Sequence, residues 1–168
     1  MSQRQLRAQA SAGFTLIEAL IVVTLLGIAV LFASPALLSF FTRSQLKSAS
    51  RDVASAYQLG RHLAVSRNVV MTVEAIDDGS VKEILIYETG GDPADPDHRV
   101  YLPEYVQLSA GLGDMKVDFK PNGLAEFGAT DKCETVKVES GAPTNAWVNI
   151  FISGIVRVTE NAQSSDCS

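Results

Sequence analysis

From Ala19 to Thr42 the chain carries no charged side chain, and a single glutamate, Glu18, stands at the head of that run. About 20 mostly apolar residues in a helix cross about 30 Å of hydrocarbon, so residues 14–42 are predicted to form a spanning helix. An acidic side chain deep in such a helix costs about 2.5–3.5 kcal/mol and calls for a cationic partner. The next cation along the chain is Arg43, which lies about 25 residues, or about 37 Å of helix, further on. A cut between Gly13 and Phe14 would instead place a new α-amine four residues from Glu18. Two unit charges about 4 Å apart attract by about 4 kcal/mol at an effective dielectric near 20, enough to offset the insertion cost. The amine of one copy would then neutralise Glu18 of another.

The segment Ala12-Gly13-Phe14-Thr15-Leu16-Ile17-Glu18, behind a short polar leader, resembles the class III signal of type IV pilins and type II secretion pseudopilins. The resemblance implies a prepilin peptidase that cuts after Gly13 and methylates the amine of Phe14, and a recruiting role for Glu18 as the subunit joins a filament. It divides the chain into a leader (1–13), a transmembrane and filament-core helix (14–42) and a periplasmic head (43–168) that includes the amphipathic half of the helix. It also puts the leader in the cytoplasm, which the charges alone leave open: Arg4 and Arg7 flank one side of the run, Arg43, Lys47 and Arg51 the other. A cleaved secretory signal peptide fits poorly, because the apolar run is too long for its hydrophobic region and no small-residue cleavage site lies at a sensible distance. An ordinary signal anchor is the alternative.

The 168 residues suit one globular domain plus an anchor, and the anchor inflates the 46% hydrophobic content. Removing residues 1–13 takes away two of the 14 basic residues and none of the 19 acidic ones, which moves the formal charge from −5 to −7. The remaining charge is unevenly spread. Arg43, Lys47, Arg51, Arg61 and Arg67 face only Asp52 between residues 43 and 67, whereas seven basic and 17 acidic residues follow. A basic neck carries an acidic head.

Past the apolar run, Leu46, Ala49, Val53, Ala56, Gly60 and Leu63 recur at three- and four-residue steps. They draw an apolar stripe on a helix that should end near Asn68 and pack on a sheet. Pro35 removes one backbone donor, so a bend or local melting is predicted there. Strands are predicted at 69–75, 81–88, 99–102, 105–108, 115–119, 124–127, 135–139, 146–152 and 155–159. Asp77-Asp78-Gly79-Ser80 and Lys120-Pro121-Asn122-Gly123 supply hairpin turns, and Gly154 a tight turn before the last strand. The fold class is α+β, a long N-terminal helix packed on an antiparallel sheet, which is also the pilin architecture that the resemblance implies. Phe119-Lys120-Pro121-Asn122-Gly123 and the Ser153-Gly154 turn resemble the GspH/FimT branch.

On that resemblance Pro35 points to a pilus, since pilins that enter type IV pili commonly carry a proline where the helix unwinds during assembly; the plain reading is a helix kink. Cys133 and Cys167 are the only cysteines, and an even count in an exported domain implies one bridge. Closing a loop of about 35 residues contributes about 3–4 kcal/mol in the chain-entropy model; two buried thiols are the alternative. FimT-type DNA-binding minor pilins carry Gly-Arg-x-Arg near the carboxyl end, and Gly154-Ile155-Val156-Arg157 keeps the glycine and the last arginine only, so Arg157 is a candidate DNA contact opposed by an acidic head. Ala29, Ala33 and Ala36 lie near one helix face and fit close helix packing, as chance also does in an Ala-rich helix. His98 among Asp92, Asp95 and Asp97 lacks the register of a calcium loop and reads as a solvated loop; His62 has no ligand partner nearby.

No nucleophile elbow, phosphate-cradling loop or zinc-protease motif occurs, so no enzyme activity and no cofactor or metal are expected. The reading is a minor pilin of a type IV pilus. Its partners are other major and minor pilins, the prepilin peptidase, an inner-membrane assembly platform and the membrane, and it starts in the inner membrane and ends in the extracellular filament. The alternatives are a GspH-type minor pseudopilin of a type II secretion system and a FimT-type DNA receptor.

Overall fold

The computed structural model describes residues 14–112, 114–128, 133–141 and 145–160, with backbone alone at 32–36 and 112. The chain divides into two units, Met1–Leu38 and Ser39–Ser168. Helix α1, Leu16–Arg67, contributes to both.

In the first unit every described side chain from Phe14 to Leu31 is exposed. A helix that is apolar all round needs a membrane or an assembly to cover it. Among the described residues no helix is long and apolar enough to cross a membrane. The leader 1–13 lies outside the described residues, and of the predicted span over 14–42 the side chains at 32–36, among them Ala33, Pro35 and Ala36, are not described. The backbone is helical straight through Pro35, so that of the predicted bend or local melting the melting does not occur. A proline removes a single N–H donor, and the rungs on either side hold the turn.

In the second unit the predicted stripe faces the core. Leu46, Ala49, Val53, Ala56 and Gly60 are buried and Leu63 packs against them partly covered, joined by Tyr57 and Ala64. Arg43, Lys47, Arg51, Arg61 and Arg67 are exposed. A Cβ added at Gly60 would stand 2.1 Å from Cγ2 of Val73, so the glycine lets α1 lie close on the sheet. Asn68, at φ 57°, ends the helix in the left-handed region that Asn tolerates better than most residues.

Among the described residues nine strands follow: β1 Met71–Asp77, β2 Lys82–Glu88, β3 His98–Tyr101, β4 Gln107–Leu112, β5 Lys116–Phe119, β6 Ala125–Glu126, β7 Cys133–Glu139, β8 Ala146–Phe151 and β9 Val156–Glu160. They form two antiparallel sheets, β3-β2-β1-β5-β6 and β4-β7-β8-β9. The core between them and α1 is built on Val53, Tyr57, Val73, Ile84, Ile86, Val117, Phe119, Val136, Val148 and Ile150. Each fully buried aliphatic side chain there stabilises by about 1.5–3 kcal/mol.

The turns form where the sequence places them. In the first hairpin Asp78 accepts N–H groups from Ser80 (2.9 Å) and Val81 (2.6 Å), while Gly79 takes φ 87°. β4 departs from its predicted place, starting at Gln107 rather than Tyr105 and running to Leu112. Its partner is β7, with Gln107 opposite Glu139 and a bulge between Ala110 and Leu112. Gly111 permits the bulge, because a Cβ there would meet Thr135 Oγ1 at 2.4 Å and the Trp147 ring at 2.6 Å.

Candidate functional site

The predicted site residues do not converge on one cavity. At the start of α1, Thr15 is the N-cap: its Oγ1 accepts the N–H of Glu18 at 3.2 Å and its carbonyl accepts that of Ala19 at 3.1 Å. Glu18 sits in the first turn, exposed, at the third helical position and the end of a Thr-x-x-Glu pattern, where a carboxylate also favours the positive end of the helix. The Thr-x-x-Glu spacing was legible and points to the cap, a role that the lone carboxylate obscures. Phe14, 82% exposed, immediately precedes Thr15. Gly13 lies outside the described residues.

In the head, Cys133 opens β7 buried and is not a free thiol; Cys167 lies outside the described residues. Arg157 is exposed on β9 opposite Asn149, its guanidinium 5.7 Å from the centroid of the Phe151 ring. His62 and His98 are both exposed. In the 92–98 loop Asp92 accepts the Ala94 N–H at 2.9 Å, and Asp97 forms an ion pair with Arg67.

The two turn motifs, far apart in sequence, meet. Arg61 of α1 donates Nε–H to the carbonyl of Gly123 at 2.9 Å. Gly154, at φ 72°, comes so close that a Cβ there would lie 2.1 Å from the same carbonyl and 2.6 Å from Arg61 Nε. Ala125 N–H, just beyond, donates to Ile152 O at 2.9 Å and ties β6 to the end of β8. One arginine thus joins the helix to a turn from each sheet. A run of helical cations gave no sign that Arg61 differs from its neighbours.

A second junction is buried. Tyr57 donates its hydroxyl to the carbonyl of Met115 at 2.8 Å, and Glu134 Oε1 accepts the Met115 N–H at 2.7 Å. Met115 is held at φ 61°, a conformation that costs a non-glycine residue free energy and that these bonds from α1 and β7 fix in place. Burial, then the charges of Glu134, Asp114 and Glu74, push the Tyr57 phenol well above its ordinary range, so it serves as a neutral donor.

Comparison with known proteins agrees with both parts of the chain. The family model described as the prokaryotic N-terminal methylation motif matches residues 9–34. Among curated proteins, none matches the chain. Two crystal structures of the type IV minor pilin FimU of Pseudomonas aeruginosa share the fold. One is 19% identical, with a TM-score of 0.55 over 68% of this chain and 92% of that one. The other is 20% identical, with a TM-score of 0.58 over 71% and 92%. The chain joins the prokaryotic N-terminal methylation motif to the fold of a type IV minor pilin.

Proposed function

We propose that the chain is a minor pilin subunit of a type IV pilus. In this reading a prepilin peptidase cuts between Gly13 and Phe14 and methylates Phe14, residues 14–42 hold the subunit in the inner membrane with the head in the periplasm, and Glu18 recruits it by pairing with the terminal amine of a neighbour. The work is structural: the apolar helix enters the filament core, unwinding at Pro35 as it packs, and the head meets other pilins in the filament or its tip. The observation that carries the reading is the junction, along one helix, of a methylation motif over residues 9–34 with a head of FimU-like fold. A bridge between Cys133 and Cys167 would tie the carboxyl tail to β7; the burial of Cys133 and its lack of a free thiol support it.

The test is made in the native host. Mass spectrometry of the membrane-extracted protein should find a chain that starts at methylated Phe14, and Glu18→Ala should lower both surface piliation and incorporation of the subunit. A chain still beginning at Met1, or normal incorporation of the Glu18→Ala protein, would overturn the reading. Loss of exoprotein release with intact pili in a deletion strain would assign the chain to a secretion pseudopilus instead.

A further inference from the structure

Arg43, Lys47 and Arg51 are spaced four residues apart and form one exposed ridge on α1. None of the ion pairs among the described residues includes them; the pairs use Arg67, Arg99, Lys116, Lys120 and Lys137 instead. Like charges at this spacing weaken a helix, so the isolated head bears a cost that an anionic partner would relieve. Beside the ridge lies a groove of about 480 Å³, lined by Phe40, Arg43, Ser44, Leu46, Lys47, Ser50, Ala146 and Glu160. Glu160 is its one carboxylate, and Asp52 the one on the neighbouring helix surface.

The complementary surface is at the other end of the head. The loop between β2 and β3 is fixed to the end of α1, since Thr89 N–H donates to Val70 O at 2.9 Å and Asp97 pairs with Arg67. Together with the end of β2 it exposes Glu88, Asp92 and Asp95, while its cationic neighbours Arg67 and Arg99 are already paired. Along a continuous helix, Arg67 stands about 24–36 Å from the ridge. The head is therefore polar along α1, basic at the neck and acidic at the far end. Two different surfaces that fit each other make a head-to-tail contact, the kind that extends into open helical assemblies rather than closing as a dimer.

We propose that the ridge Arg43–Lys47–Arg51 is the docking surface for the acidic β2–β3 loop of a second copy of this chain, displaced along the helix axis. The proposal rests on the filament reading above, but its test does not use Glu18. The full chain is purified in a neutral detergent, where copies are free to stagger, as two variants, Ser48→Cys beside the ridge and Ala94→Cys in the loop; both positions are exposed and uncharged. Mixed at low salt under mild oxidation, they should form a heterodimer linked by a disulfide between positions 48 and 94. Its yield should fall at least tenfold when the first variant also carries R43E, K47E and R51E, and should return when the second carries E88K, D92K and D95K. That return also shows that the reversed proteins are folded. Absence of the heterodimer from the unreversed pair, a yield indifferent to ridge reversal, failure of the double swap to restore it, or its abolition by equimolar phosphatidylglycerol, which would assign the ridge to lipid phosphate, would each overturn the proposal. The charge swap leaves Glu18 untouched, so that recruitment and docking fail separately.

Discussion

Arg61 and Gly123 are joined by a 2.9 Å hydrogen bond from guanidinium Nε to backbone carbonyl, and Gly154 closes over that bond with no room for a side chain. The carbonyl would otherwise lie between two turns with no strand to pair it. Gly154→Ala is predicted to destabilise the head by about 2–4 kcal/mol, from the cost of a side chain at positive φ and from overlap with the Gly123 carbonyl. Arg61→Met, which keeps the aliphatic stem, should cost about 1–2 kcal/mol. Denaturant melts of the single and double variants would show the two losses to be non-additive, because both act on the same carbonyl.

The predicted outline of the head matches the structure closely. The stripe from Leu46 to Leu63 and the helix end at Asn68 follow from local periodicity and backbone preference, and the Asp78-Gly79 and Asn122-Gly123 turns from residues that adopt their own geometry. The division of the strands into two sheets was not legible. β3 and β4 are separated by five residues around Pro103, yet one pairs with β2 and the other with β7, a choice settled by packing across the core. Nor does any local pattern announce that Met115 adopts positive φ, since the groups that hold it there, Tyr57 and Glu134, are distant in sequence. The candidate site divides the same way. Glu18 stands out as a lone carboxylate, whereas the distinction of Arg61 from Arg51 exists only once two turns are brought to it.

Thr15 caps α1 through its hydroxyl, so Thr15→Ala should free the Glu18 amide. A lost cap costs about 0.5–2 kcal/mol, and amide exchange at Glu18 in detergent should speed up about 2- to 30-fold. Thr15→Ser, which keeps the acceptor, should exchange as the parent does. If Thr15→Ala exchanges at the parent rate, the hydroxyl is not holding that amide.

The Asp78 carboxylate is held below its ordinary value by the Val81 and Ser80 N–H groups. A depressed folded-state value means that its contribution is present above about pH 3.9, the unfolded value, and is lost as pH falls through the lower folded one. NMR titration should show the Ser80 and Val81 amide shifts moving together below that pH, and Asp78→Asn should abolish the step while leaving the hairpin register, Asp77 opposite Lys82, intact.

Tyr57 is predicted to contribute to the loss of stability in alkali. Its buried phenol has a raised folded-state value, whereas in the unfolded chain it ionises near pH 10. Below that pH both states hold the proton and stability does not depend on it; above it the unfolded state gives up its proton first, so stability falls with pH until the folded value is reached. The limiting slope for one group is about 1.4 kcal/mol per pH unit. Tyr87, pushed up by burial and then by its hydrogen bond to Glu74, acts in the same window more weakly because it is less enclosed. Tyr57→Phe should therefore lose about 0.5–1.5 kcal/mol at pH 7, the worth of its bond to Met115, yet show a shallower decline above pH 10 than the parent. Urea melts at pH 7, 10 and 11 would measure both effects, and parallel declines in the two proteins would mean that the phenol is not the group that titrates.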